Sequence, residues 1–257
     1  MRGPRLGIVT YNIAKNWSID EIIVNCTEAL INAVELRTTH AHGVEVSLSK
    51  AHRGEVKERF VDSAVELASL GSTFEYHAVD KEEVQRNVAG TKEYAQLAKD
   101  VGASGIKVRP NGFQTAAGIP AETTLEQIGK ALDECASFSA DIGIKIRLEV
   151  HGRDTSRLVN IRKILDFADN TNLYLCWNCN QTDLEDGGLA ENFGMVSDRV
   201  EFVHMRDLFL TEYPWSEFFK LLKAQGYNGV CCAEIPESLD PIRVLRYYRA
   251  LFDAYLG

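Results

Sequence analysis

The chain has 257 residues, 45% of them hydrophobic and 25% charged, with a formal net charge of −9. Such a composition suits one soluble α/β domain with ample core. An acidic balance without a basic cluster speaks against nucleic acid or anionic membrane as partner, and the longest apolar runs are too short for a transmembrane helix.

In chain order, Leu6–Tyr11 is a short apolar run and the first strand candidate. Ser18 or Asp20 can cap a helix through about Ala33, with Ile22, Ile23, Cys26, Leu30 and Ile31 at helical spacing. Val34–Arg37 is the second strand, followed by a polar loop carrying His40 and His42 and a helix from about Ser49 to Leu67. Ser72–His77 is the third strand, and a charged helix runs from about Lys81 to Val101, stopped by Gly102. Gly105–Arg109 is the fourth strand, ended by the turn signal Pro110-Asn111-Gly112, with a helix from Thr124 to about Asp141 after it.

Ile144–Val150, the fifth strand, alternates apolar and ionisable residues, and a helix over Ser156–Asn170 follows. Leu173–Asn178 is the sixth strand, and a loop with Gly187-Gly188 leads to a poorer helix near Leu189–Val196. Val200–Met205 is strand seven, Trp215–Ala224 a helix and Gly229–Ile235 strand eight. Pro241–Tyr255 closes the chain as a helix with proline in its first turn. Strands alternating with helices at this length predict a single-domain (β/α)8 TIM barrel over residues 1–257, and no Gly-x-Gly-x-x-Gly follows the first strand to support a dinucleotide fold.

In such a barrel, functional groups come from the C-terminal strand ends. The two-residue period turns Glu35 and Arg37, Glu75 and His77, Lys107 and Arg109, and Arg147 and Glu149 inward. Asn178, His204 with Arg206, and Glu234 follow from strands six to eight. This polar load is unfavourable unless it is paired or used. Glu149, Asn178, His204 and Glu234 come from four successive strands and can surround one point. Two carboxylates, an imidazole and an amide oxygen suit Mn²⁺ or Mg²⁺, with Co²⁺ or Zn²⁺ also compatible. Two carboxylates also suit proton transfer at a bound sugar carbon.

The strand endings Val34-Glu-Leu-Arg, Leu148-Glu-Val-His, Val203-His-Met-Arg-Asp207 and Cys232-Ala-Glu-Ile235 resemble the xylose isomerase-like TIM-barrel superfamily. Its members include sugar phosphate isomerase/epimerases, ketose 3-epimerases, hydroxypyruvate isomerase, inosose dehydratase and endonuclease IV. The resemblance runs from Leu6 to Leu256 and implies metal ligands at Glu149, Asn178, His204 and Glu234. It also implies that Glu149 and Glu234 exchange the substrate proton and that Arg206 touches substrate oxygens. The epimerase pattern Trp-Asp-x-x-His reads Trp177-Asn-Cys-Asn-Gln181 here, so the site loses one negative charge and a histidine. A weaker hold on metal is expected.

Arg37, Lys107, Arg109, Arg153 and Arg206 crowd basic charge at the same face; they either meet an anionic substrate or pair internally, for example with Glu75 and Glu35. His77 and His151 are further candidates for substrate contact, while His40, His42 and His52 are expected to be solvated. The six cysteines read as buried, reduced hydrophobes of a cytoplasmic protein, with Cys176-x-x-Cys179 a weak redox pattern. The N-terminal stretch lacks the apolar segment of a secretion signal. Trp215 and Phe218-Phe219 read as helix packing. The expectation is therefore an isomerase or epimerase of a small carbohydrate or sugar acid, with a homo-oligomer compatible. A dehydratase or lyase of the same superfamily and a non-catalytic sugar-binding barrel are the alternatives. An endonuclease-IV-like enzyme would need a histidine-rich zinc site and a positive surface, and the chain offers neither.

Overall fold

The strands pair in chain order, all parallel, and the ring closes where Gly7 of the first strand registers with Cys232 of the eighth. The computed structural model describes residues 3–257; the first two residues of the N-terminal stretch considered for a secretion signal lie outside them. The strands are β1 (Arg5–Val9), β2 (Ala33–Arg37), β3 (Glu66–Glu75), β4 (Gly105–Arg109), β5 (Lys145–Glu149), β6 (Leu173–Asn178), β7 (Val200–Met205) and β8 (Val230–Ala233). The helices are α1 (Ile19–Glu28), α2 (Lys50–Val61), α3 (Lys81–Val101), α4 (Ala121–Asp141), α5 (Leu158–Asp166), α6 (Leu189–Val196), α7 (Trp215–Ala224) and α8 (Pro241–Leu256). Together they form the expected (β/α)8 barrel. Among the described residues, no helix is long and apolar enough to cross a membrane.

Local chemistry explains most boundaries. Ser18 and Glu21 form a reciprocal capping box that starts α1, and Asp80 caps α3. Gly102, at φ 85°, ends α3 in the left-handed conformation that glycine tolerates best. The largest departures from the expected boundaries lie at the end of α1 and between α2 and β3, while α5, expected over Ser156–Asn170, spans Leu158–Asp166. The first helix ends at Glu28 rather than near Ala33, because Ala33 is already in β2 and Leu30 turns the chain at φ 60°. The second helix stops at Val61, and β3 begins at Glu66, ahead of the expected Ser72. Ser63 accepts from the Val65 amide and donates to the Phe60 carbonyl, breaking the helix, while Leu67, Ala68 and Leu70 bury as strand residues.

The main core lies between the strands and the helical ring, whereas a smaller cluster of Val9, Ala33, Ala68, Cys176, Phe202, Val230 and Cys232 fills the barrel. Trp215, Phe218 and Phe219 pack in the core, as expected. All six cysteines are free and buried, and burial pushes the Cys176 thiol up to about 11, so Cys176 and Cys179 are packing groups. The lower end of the barrel is sealed by charge. Buried Arg147 pairs with Glu201, which also holds Lys145, and donates to the Ala68 carbonyl and to Ser104 Oγ. Gly105 leaves the room: a Cβ there would lie 2.8 Å from Arg147 Cζ. Arg147 thus points inward but belongs to the floor and not to the mouth.

Candidate active site

Strand register sets the height of each side chain. Asn178 pairs with His204 across β6 and β7, and Glu149 ends β5 one strand away. Glu234 follows β8, anchored where its amide donates to the Met205 carbonyl. Glu149, His204 and Glu234 converge there, their ligand atoms all within 4.8 Å of one another. His204 is closed to solvent and Glu149 is 2% exposed, while Glu234 is partly open. His204 Nδ1 lies 3.4 Å from Glu149 Oε1 and 3.7 Å from Glu234 Oε2. On the far side of the ring, Nε2 lies 3.2 Å from Oε1 of the buried Glu35.

These contacts are close but not aligned as hydrogen bonds, so His204 Nδ1 remains a buried nitrogen without a hydrogen-bond partner. A buried, unpartnered imidazole nitrogen facing two carboxylates is a donor set that fits a divalent cation. Asn178 joins the cluster with its amide nitrogen, which donates to Glu149 Oε1 at 3.2 Å. A half-turn of the amide would present its oxygen instead.

Lys107 was expected to contact substrate; it reaches into this cluster. Its ammonium lies 2.9 Å from Glu149 Oε2 and 3.3 Å from the Ser72 carbonyl, and the residue is 6% exposed. The two glutamates are therefore unequal. Burial would raise the Glu149 carboxyl, but Lys107 and His204 outweigh it and hold Glu149 well below the usual range. Burial raises Glu234, with the neighbouring Glu149 charge adding to the effect. Environments that push two carboxyls apart are typical of acid–base pairs.

The other expected residues lie around the rim. Arg109 pairs with Glu75, whose other oxygen is 3.7 Å from His77 Nδ1, at the ends of β3 and β4; Arg109 Nε and His77 Nδ1 themselves are buried without a hydrogen-bond partner. His151 Nδ1 is 2.9 Å from Asn111 Oδ1, in the Pro-Asn-Gly turn. Arg37 donates to the Thr38 carbonyl and lies 5.8 Å from the Tyr11 ring centroid. Arg206 is exposed and lines, with Tyr11, Asn12, Asp207 and Glu234, a cavity of about 320 Å³. Internal pairing thus claims Lys107 and Arg109 and leaves Arg206 beside Glu234.

Two expected loop histidines are built in. His42 is buried, its Nε2 donating to the Arg37 carbonyl at 2.8 Å while Nδ1 accepts from Val44. His40 Nδ1 is 2.9 Å from Thr10 Oγ1, and its ring stacks on Tyr11. Burial, with Arg37, lowers His40 to about 4, so it is neutral at physiological pH. No periodicity or motif points to Asp183, which is fully buried in the 3-10 turn Gln181–Leu184 after β6. Asp183 Oδ2 accepts from Tyr213 at 2.8 Å and from the Asn180 amide, Tyr213 in turn accepting from Trp177 Nε1. Oδ1 has no partner, and burial raises the carboxyl to about 7.

With this geometry the chain is similar to several known proteins. It is 28% identical over 122 residues to L-ribulose 3-epimerase of Methylomonas sp. (strain DH-1), a match covering 43% of the chain and 43% of that relative's length. Over 98% of the chain and 99% of the other, it superposes on D-psicose 3-epimerase with D-tagatose from Clostridium cellulolyticum H10, with a TM-score of 0.83 at 13% identity. The IOLI protein with a bound zinc atom aligns over 98% of both chains, with a TM-score of 0.80 at 14% identity. A family profile described as xylose isomerase-like TIM barrel matches residues 25–251, and the chain belongs to that family.

Proposed function

We propose that this protein is a carbohydrate isomerase or epimerase that moves a proton at a carbon beside a carbonyl, with Glu149 and Glu234 as the exchanging groups. The convergence of these two carboxylates on His204, within 4.8 Å, carries the reading. The sugar epimerases among its relatives and structural neighbours support it. Glu149, His204 and Glu234 would hold a divalent metal, with Asn178 as a fourth ligand through its oxygen. Bound there, the metal would polarise the substrate carbonyl and hydroxyl. A structural neighbour that binds a zinc atom supports a metal in a barrel of this fold.

The chain's own residues divide the remaining work. One glutamate removes the proton from carbon as the electron pair moves to the carbonyl oxygen, giving an enediolate. The other returns a proton, to the opposite face for an epimer or to the adjacent carbon for an isomer. Glu234, raised by burial, suits the proton-carrying member, and Lys107 beside Glu149 keeps that carboxylate ionised. Arg206, at the cavity bordering Glu234, is placed to hold substrate oxygens. His77, Arg109, His151 and Arg37 shape the rim against a small carbohydrate or sugar acid. Six free thiols support a reducing, cytoplasmic setting. A ketose and sugar-acid screen with chromatographic detection of isomers tests the reading. Turnover that survives replacement of both glutamates by glutamine defeats it.

A further inference from the structure

We propose that Lys107 is a resident cation that competes with the divalent metal for Glu149, so that the site binds metal weakly and exchangeably. This deepens the metal reading above and rests on it. A surface lysine near a metal site could swing away; Lys107 cannot do so freely. It rises from β4 inside the barrel, 6% exposed, with its ammonium between the Ser72 carbonyl at 3.3 Å and Glu149 Oε2 at 2.9 Å. Glu149 is therefore shared. Oε1 faces His204 Nδ1 at 3.4 Å, where a metal would sit, and Oε2 is engaged by the ammonium.

The charge of the inner cluster gives the sense of the effect. Glu35, Glu149 and Glu234 bring three negative charges and Lys107 one positive charge, while Asn178 brings none. With His204 neutral, as a metal ligand must be, a dication meets a pocket holding two negative charges. An aspartate at 178 and an uncharged residue at 107 would make that four. Each added unit of negative charge within a few ångströms of a dication, in a water-poor site, strengthens its binding by about tenfold or more. The Asn178 amide acts in the same direction, since it donates to the same carboxylate that the ammonium holds. The consequence is a metal occupancy that follows the free metal concentration.

Mn²⁺ alone is the probe. Calorimetric titration of the metal-stripped full chain compares wild type with Lys107→Met, Asn178→Asp and the double variant, each first shown to be folded by circular dichroism. Lys107→Gln replaces Lys107→Met should the latter not fold. Each single variant is expected to bind Mn²⁺ about tenfold tighter or more, and the double variant tighter than either. Lys107 variants that bind no tighter than wild type, while Asn178→Asp does, overturn the inference and leave the metal reading standing. No binding in any chain, the double variant included, overturns the metal reading and the inference with it.

Discussion

His204 Nε2 lies 3.2 Å from Glu35 Oε1, and both side chains are closed to solvent. When a metal takes Nδ1, on the side of Glu149 and Glu234, a carboxylate at Nε2 is placed to hold the one remaining ring proton there. Gly71 makes the arrangement fit, since a Cβ there would lie 2.7 Å from Glu35 Oε1. Glu35→Ala should therefore weaken Mn²⁺ binding by about 10–100-fold, the usual effect of losing an outer partner of a ligating histidine. Gly71→Ala should act in the same direction, because it pushes Glu35 aside. Metal titration by calorimetry checks both; unchanged affinity in each would remove Glu35 from the account.

Arg206 borders the cavity beside Glu234 and stands outside the pairings that occupy Lys107 and Arg109. Arg206→Ala should raise KM for the substrate by about tenfold or more, as losing a hydrogen bond from a charged donor does. The effect on kcat should be smaller if the contact is made in ground and transition states alike. Steady-state kinetics on the substrate found in the screen checks this. An unchanged KM would place Arg206 outside the binding site.

Asp183 supplies a pH dependence with a defined sign. Its carboxyl is held to about 7 in the fold by burial, against 3.8 for the free group. The folded chain therefore keeps a proton that the unfolded chain releases. The stability from this group is full below about pH 4 and declines as pH rises through 7, at up to about 1.4 kcal/mol per pH unit. Asp183→Asn keeps the Tyr213 and Asn180 contacts with no charge to bury. The stability of wild type relative to this variant should fall between about pH 4 and about pH 7 and level off above that. Urea denaturation of both chains across that range measures the difference; a constant difference would contradict the assignment. His40, lowered to about 4, has the opposite sign and is common to both chains, so it cancels.

Arg147 tests the division between floor and mouth. It is 1% exposed, pairs with Glu201 and stacks 4.7 Å from the Phe202 ring centroid. Arg147→Met should destabilise the chain by roughly 3 kcal/mol, as breaking a buried pair does. Mn²⁺ affinity should not change, because the cluster lies at the other end of the strands. Chemical denaturation beside metal titration reads both effects.

Much of this was legible in the sequence because a barrel strand writes a simple pattern. Alternation in Ile144–Val150 and the charged residues at or just past the ends of β2, β4, β7 and β8 gave the strands, their faces and the convergence of Glu149, His204 and Glu234. Alternation fixes a face but not a height. Arg147 and Glu149 share a face, yet their separation of about 7 Å along the strand puts one in the floor and the other in the site. The same limit hid the meeting of Lys107 with Glu149, which depends on stagger between strands. At the α2–β3 boundary Val56, Phe60 and Leu67 keep a helical spacing, and only the Ser63 side chain, tied to the Phe60 carbonyl and the Val65 amide, breaks the helix between them. Asp183 left no mark at all: a buried carboxyl in a short turn has no period, and only the approach of Tyr213 from another loop gives it a role.

The most direct test of the central claim follows solvent deuterium into the carbon beside the carbonyl. The metal-loaded protein is incubated in heavy water with a panel of ketoses and sugar acids, and the exchanged position is read by proton resonance. Wild type should incorporate deuterium into at least one sugar, and Glu149→Gln and Glu234→Gln should each slow that exchange by about a hundred- to ten-thousand-fold. Exchange at the wild-type rate in both variants would contradict a glutamate-mediated proton transfer.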